Sequence, residues 1–232
     1  MKLCSTEIHC HLLPGVDDGF RNEESSLHAI GRMVEAGTKA IVFTPHMNPD
    51  VYPEMNESLL REVYSSFREK LPVGLKSHLA AEYMVVNGFD ERVAQNPETL
   101  LTFPDDSILV EMSYYFRSPN LEQTIFNLNM AGLHPILAHP ERYLYMSDCL
   151  ADFDKLADMG CRFQMNMMSL TGKYGKASLR ILKYLLGKGM YNFMATDLHS
   201  NPQLDTILSS RVPLTLRKAV GRLVEMDAPV IQ

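Results

Sequence analysis

Five short β-like segments in this chain each deliver side chains of the kind that ligate metals, and that repetition constrains the fold more than any other feature. Glu7–His11 carries His9 and His11, Ala40–His46 ends on His46, and Ser107–Met112 carries Glu111. Pro135–His139 ends on His139, and Asn192–His199 closes with Asp197 and His199. Ligand-type residues stationed at the C-terminal ends of successive strands are what a (β/α) barrel uses to build a site at one mouth. Five histidines and several carboxylates arriving in this way point to a polynuclear metal centre.

Between these segments the apolar period switches to that of helices. Asn22–Gly37 reads as a helix with Leu27, Ile30, Met33 and Val34 on one face and Gly37 as its left-handed stop. Met55–Lys70 is helical, and Lys76–Met84 is a strand containing Glu82. Asn120 is placed to cap a helix over Leu121–Ala131, which Gly132 ends. Leu150–Met159 leads to a strand over Arg162–Met167, and Ser178–Leu186 leads through Gly187 and Gly189 to Tyr191–Thr196. The count is about seven β/α alternations, close to the eight of a full barrel. No Pro/Gly/Ser-rich linker divides them, so residues 1–232 are expected to form one α/β domain. A doubly wound open sheet is the structural alternative.

Composition bounds the function. A chain of 232 residues with 46% apolar and 22% charged residues can bury a substantial core and is ordinary for a soluble enzyme. A net charge of −6 argues against a broad nucleic-acid footprint, though not against a local basic pocket. Cys4, Cys10, Cys149 and Cys161 form no CxxC pair, which fits reduced thiols better than a disulfide frame. The N-terminus has no long apolar run and no later stretch is long enough to span a membrane, which leaves the cytoplasm as the default location.

The motifs carry the chemistry. Residues two apart on a strand share a face, so His9 and His11 can reach one metal while Cys10 points away. The following loop, Pro14-Gly15-Val16-Asp17-Asp18-Gly19, brings two carboxylates, of which one is expected to be a ligand; alone they would be an ordinary turn pair. Glu82 and Glu111 interrupt apolar runs and would be expensive to bury unpaired, so each is either in a buried salt bridge or facing a cation. His46 follows Thr44-Pro45, and as a lone strand-end histidine it would more often be a hydrogen-bonding residue than a ligand. Arg142 follows His139 closely, and a guanidinium there can grip two oxygens of a phosphate; the plainer reading is an ion pair with Glu141. Asp197 and His199 repeat the two-residue spacing with an oxygen and a nitrogen ligand. His28, His78 and His134 lie within a helix or at strand entries, where structural roles are expected.

Taken in order, HxH, PGVDDG, TPH, AAEY, VEMS, AHPERY and TDLH resemble the polymerase and histidinol phosphatase (PHP) superfamily over Glu7 to His199. More narrowly, HLLPGVDDG and AHPERY resemble the bacterial capsule-type, manganese-dependent tyrosine-protein phosphatases, the CpsB/YwqE group. The resemblance implies a distorted (β/α)7 barrel with its metal site at the C-terminal ends of the strands. It implies a first metal held by His9, His11 and Asp197, with Glu82 bridging to a second that adds Glu111 and His139. A third would take Asp18, His46 and His199, and the phosphate-binding arginine falls on Arg142. It also implies up to three Mn²⁺ ions and a phosphotyrosine protein substrate, a bacterial tyrosine autokinase of capsule or exopolysaccharide synthesis. Two positions depart from the family pattern: Glu7 stands where Asp is usual, and Cys10 where Ser is common. Glu7 is expected to orient an imidazole.

Imidazole and carboxylate ligands without thiolate suit Mn, Fe, Co or Zn. Clustered cations lower the pKa of a bound water, orient a phosphoryl group and neutralise its charge. The expected reaction is therefore in-line attack of a metal-bound hydroxide on phosphorus, with Arg142 and the metals on the nonbridging oxygens. A tyrosyl leaving group has a pKa near ~10 and needs less protonation than a serine alkoxide. His46, His199 and a metal-bound water are the candidate proton donors. No Cys-x5-Arg loop is present, and no cysteine nucleophile is required. The alternatives are a small-molecule, histidinol-phosphate-like phosphatase, a phosphodiesterase or nuclease of the same superfamily, and a protein that binds metal without turnover. The full ligand set with Arg142 weighs against the last, and the acidic net charge against a nuclease.

Overall fold

The computed structural model describes residues 1–225. Parallel strands need crossover connections, and the chain supplies them as helices. The strands are β1 (Thr6–Glu7), β2 (Ala40–Phe43), β3 (His46–Met47), β4 (Lys76–Leu79), β5 (Glu82–Met84), β6 (Ser107–Glu111), β7 (His134–Ala138), β8 (Arg162–Asn166) and β9 (Tyr191–Ala195). The helices are α1 (Glu23–Glu35), α2 (Glu57–Arg68), α3 (Phe89–Gln95), α4 (Leu121–Met130), α5 (Ala151–Asp158), α6 (Gly175–Lys188), α7 (Asn201–Ser209) and α8 (Arg217–Glu225). Every strand pair is parallel, in two sheets: β1-β2-β4, and β3-β5-β6-β7-β8-β9.

Two expected strands are each split, for one reason. Pro45 has no N–H to give a ladder, so the Ala40–His46 segment stops at Phe43 and resumes in the second sheet as β3. Its neighbour breaks at the same level, between β4 and β5, across Ala80-Ala81. The gap remains bonded: Ala80 N donates to Phe43 O at 2.9 Å and Glu82 N to Pro45 O at 3.0 Å. The Glu7–His11 segment keeps only β1 as regular strand. Beyond it, Cys10 makes a parallel bridge with Leu198, His11 N donates to Leu198 O, and Thr44 N donates to Cys10 O. This segment therefore lies between the ends of β2 and β9.

Buried apolar side chains fall into two groups. A small one joins Ile8, Val42, Leu109, Ile136, Ala138 and Ala195, drawn from strands of both sheets. The larger one packs the opposite strand faces against the helices. Strands buried on both faces explain why β6 and β7 read as near-continuous apolar runs.

Helix starts follow the capping chemistry where a short polar side chain can reach back. Asn22 accepts from Ser25 N at α1 and Asn56 from Leu59 N at α2. Asn120 precedes α4 but makes no side-chain cap bond, contrary to the sequence expectation, because its backbone is not extended there. The buried face of α1 is Ser26, Ala29, Ile30 and Met33, turned from the expected stripe, and Val34 is exposed. Small residues on that face let the helix come close enough for Ser26 Oγ to donate to Leu12 O. Helices α3, α7 and α8 carried no expectation from sequence. No described helix is long and apolar enough to cross a membrane.

Candidate metal centre

All nine ligand candidates meet in one cluster, His46 and Glu82 from the first residues of β3 and β5 and the others from the ends of strand segments or the turns that follow them. His9 and His11 point to one side of their segment, while Cys10 is buried on the other with Sγ toward Val42 O. The Nε2 atoms of His9 and His11 lie 3.3 Å apart. Glu82 Oε2, from the start of β5, is 3.2 Å from His9 Nε2, 3.4 Å from His11 Nε2 and 3.1 Å from His46 Nδ1. Asp197 Oδ1 is 3.4 and 3.3 Å from the same two Nε2 atoms. Glu111 Oε1 approaches His46 Nδ1 at 2.9 Å, and His139 Nε2 approaches Glu82 Oε1 at 3.1 Å. Asp18 Oδ1 faces both His46 Nε2 at 3.4 Å and His199 Nε2 at 3.5 Å.

Four overlapping sets have mutual ligand-atom spacings that a metal ion could bridge: His11, Asp18, His46 and His199; His9, His11 and Glu82; His9, His139 and Asp197; His46, Glu82 and Glu111. Glu111 thus groups with His46, and His139 with His9 and Asp197.

The donor chemistry fits cations. His9 Nδ1 contacts Gln164 Oε1 at 2.8 Å, His11 Nδ1 contacts Asp17 Oδ2 at 2.8 Å, and His199 Nδ1 contacts Asp197 O at 2.9 Å. Each acceptor assigns the proton to Nδ1 of a neutral ring and leaves an Nε2 lone pair facing the cluster. Two such lone pairs 3.3 Å apart, on His9 and His11, repel unless a positive charge lies between them. Glu82 Oε2 is buried beside three imidazoles yet accepts no hydrogen bond, which is the state of an oxygen placed for a metal.

Where no cation lies between them, the carboxylates draw charge onto the imidazoles in its place. Burial alone would raise the Asp197 carboxyl, but His9 and His199 hold it well below the usual carboxylate range. Burial likewise opposes ionisation of Glu82, and His9 and its other imidazole neighbours reverse that. Burial and His11 work against charge on His46, while Glu111 and Glu82 carry it up to about 10.

Two of these residues have left-handed backbone, His139 at φ 33° and Asp197 at φ 50°. Non-glycine residues hold such geometry only where their surroundings fix it. Gln164 Oε1 accepts from His139 N at 3.2 Å, and His9 O accepts from Asp197 N at 2.8 Å. Glu7 works through backbone too. It accepts from His9 N at 3.0 Å and from Thr196 N at 3.1 Å, and touches no imidazole, which corrects the expected ring-orienting role. Burial pushes its carboxyl up to about 7 against those donors. Asp17, not Glu7, orients an imidazole, and its Oδ2 also accepts from His46 N. Gly19 is required in the same loop, since a Cβ there would collide with His11 O.

Arg142 stands beside the cluster on a turn after β7. Its Nη1 donates to Asp197 Oδ2 at 2.9 Å, and its guanidinium carbon lies 4.2 Å from the Tyr114 ring centre and 5.0 Å from that of Tyr174. The plainer reading, a surface pair with Glu141, does not hold. Glu141 is fully buried and accepts from Asn166 N, Ser169 Oγ and Tyr191 OH. A cavity of about 340 Å³ opens here, lined by Asp18, His46, Tyr114, Arg142, Lys173 and His199 among others.

Gln164, Asn166, Tyr114, Tyr174, Lys173 and Gln203 were not singled out from sequence. Asn166 Nδ2 donates to Asp197 Oδ2 at 2.7 Å, and Gln203 Oε1 accepts from His199 N at 2.8 Å. A signal for two of them existed. Gln164 and Asn166 interrupt an apolar strand at same-face spacing, the pattern that marked His9 and His11.

A parallel α/β fold with nine imidazole and carboxylate groups gathered at its strand ends defines a protein built to hold metal. The chain matches the family model for capsular polysaccharide synthesis, CpsB/CapC, over residues 5–221 and belongs to that family. It is 27% identical over 198 residues to the tyrosine-protein phosphatase YwqE of Bacillus subtilis (strain 168), covering 84% of this chain and 77% of that one. It is 24% identical over 207 residues to the tyrosine-protein phosphatase CpsB of Streptococcus pneumoniae, covering 84% and 82%. A chain from the crystal structures of YwqE from Bacillus subtilis and CpsB from Streptococcus pneumoniae, described as unique metal-dependent tyrosine phosphatases, superposes with a TM-score of 0.76 at 25% identity, covering 98% and 97%. The family agrees with the narrower resemblance drawn from HLLPGVDDG and AHPERY.

Proposed function

We propose that this protein is a metal-dependent phosphotyrosine-protein phosphatase. The observation that carries the reading is the pairing of Arg142 with Asp197 at the edge of the ligand cluster, in one cavity with His46, His199 and two tyrosines. Asp18, His46 and His199 hold one cation, and His9, His11, Glu82, Glu111, His139 and Asp197 hold the others, with Mn²⁺ the native ion. Bound metal supplies an activated water and neutralises charge on the phosphoryl oxygens.

The chain's own residues do the rest. Arg142 has five N–H donors and gives one nitrogen to Asp197, so other donors remain to grip nonbridging oxygens. The Tyr114 and Tyr174 rings pack against the guanidinium, which limits where the phosphoryl group can sit. His46 and His199 line the same cavity as Arg142, so the cation they would hold sits on the side where the phosphoryl group binds.

The substrate under this reading is an autophosphorylated bacterial tyrosine kinase of capsule or exopolysaccharide synthesis, met in the cytoplasm. Nucleic acid is not a substrate. Residues 1–225 act as one domain, a distorted (β/α)7 barrel, and the last seven residues of the expected 1–232 domain lie outside the described residues. Support for the barrel comes from the inner apolar group shared by both sheets and from the bonds that the 7–11 segment makes to β2 and to the turn after β9.

Turnover of a phosphotyrosyl peptide, histidinol phosphate and single-stranded DNA should be compared with Mn²⁺ added. The peptide should be hydrolysed fastest, with more than one metal equivalent bound. Preferred hydrolysis of either other substrate, or full activity with at most one ion, would overturn the reading.

A further inference from the structure

A second cavity, of about 380 Å³, opens at the same end of the fold between the start of α3 and the start of α4. Its walls continue the strands that carry the centre. Met84 follows Glu82 by two residues on β5, and Ser113 follows Glu111 by two beyond β6. Ser113 lines this cavity while its neighbour Tyr114 lines the first. At about 3.3 Å per extended residue, the two cavities are a few peptide residues apart.

The charge of this cavity is the reverse of that around Arg142. Asp50, Asp90 and Glu91 line it, and no Lys or Arg does. Among the described residues none of the three carboxylates is in an ion pair, whereas the neighbouring Arg92 is paired with Glu57. Two polar atoms of its lining residues are also left without partners. Thr124 is 1% exposed with Oγ1 buried and unbonded, and Asp90 Oδ1 is in the same state. A buried hydroxyl and carboxylate oxygen without hydrogen bonds cost free energy, and a ligand bringing N–H donors would satisfy both.

Metal is the poorer fit. The three carboxylates do not form a group with metal-ligand spacing among the described residues, unlike those of the main centre. A larger, multi-donor cation matches the spread of acceptors, and a planar guanidinium reaches several at once where an ammonium is a point charge. Phe116, 65% exposed on the rim, offers a ring face for that plane.

We infer that the cavity framed by Asp50, Asp90, Glu91 and Thr124 is a peptide subsite for an arginine side chain within three residues of the phosphotyrosine. The inference rests on the phosphatase reading for the identity of the peptide, and not for the existence of the subsite.

The test uses metal-loaded protein and phosphotyrosyl peptides carrying one arginine within three residues on either side, against the all-alanine parent. Binding by calorimetry and kcat/KM are both measured. At one position arginine should improve both by about fivefold to tenfold, the scale of a charge-assisted contact. Combined Asp90→Asn and Glu91→Gln should erase that gain while leaving p-nitrophenyl phosphate hydrolysis unchanged. Asp50→Asn alone should reduce it severalfold, which covers a double variant that fails to fold. Equal binding of all peptides, or an arginine gain that survives these substitutions, would overturn the subsite even if turnover is normal. Preferred binding of an arginine peptide without turnover would overturn the phosphatase reading and leave the subsite standing.

Discussion

Arg142→Ala removes the cation that faces the ligand cluster without removing a metal ligand. In the folded protein Asp197 keeps Asn166 Nδ2 at 2.7 Å, His9 Nε2 at 3.4 Å and His11 Nε2 at 3.3 Å after the loss of Arg142. Metal content should therefore change little. The loss falls on the phosphoryl group, where a preorganised charged donor in a water-poor site contributes about 10²–10³ in rate, or ~3–4 kcal/mol. Arg142→Lys keeps the charge but gives up the planar grip and the guanidinium contacts with the Tyr114 and Tyr174 rings, so it should recover only part of that loss. The assay is kcat/KM on a phosphotyrosyl peptide at saturating Mn²⁺, with bound metal measured on the same samples. A wild-type rate in the alanine variant would refute the clamp. A parallel fall in metal content would show that Arg142 acts by supporting Asp197 instead.

Gln164→Leu removes the acceptor shared by His9 Nδ1 and His139 N, so metal affinity should drop by about 10–100-fold and activity should return at high Mn²⁺; unchanged affinity would deny Gln164 a positioning role. Cys10→Ser should keep most activity and full metal content, because Cys10 is turned to Val42 O and a hydroxyl can donate there; lost turnover with metal intact would contradict the side-chain register. Leu109→Ala, at a fully buried position of the inner apolar group, should destabilise by about 2–5 kcal/mol in urea unfolding, and a cost below ~1 kcal/mol would mean that group is loosely packed.

The ligand types and their stations at strand ends were legible in the chain because both are local properties. Strand period two places His9 and His11 together, and a carboxylate inside an apolar run marks Glu82 and Glu111. The alternation of elements was legible for the same reason, and the ordered motifs carried the family. What pairs with what was not. Gln164 reaches His9 across 155 residues, and Arg142 reaches Asp197 across 55 rather than its neighbour Glu141. The split of two strands at Pro45 and Ala80-Ala81, the left-handed turns at His139 and Asp197, and the bond from Thr196 N to Glu7 likewise depend on partners brought together only by folding. Sequence by itself determined the nine candidate ligands and their stations, since side-chain chemistry and strand alternation are written residue by residue. Tertiary structure alone decided which nitrogen of His9 faces inward and which partners Asp197 takes, because those are set by hydrogen bonds from Gln164, Asn166 and Arg142, on segments that the chain keeps far apart.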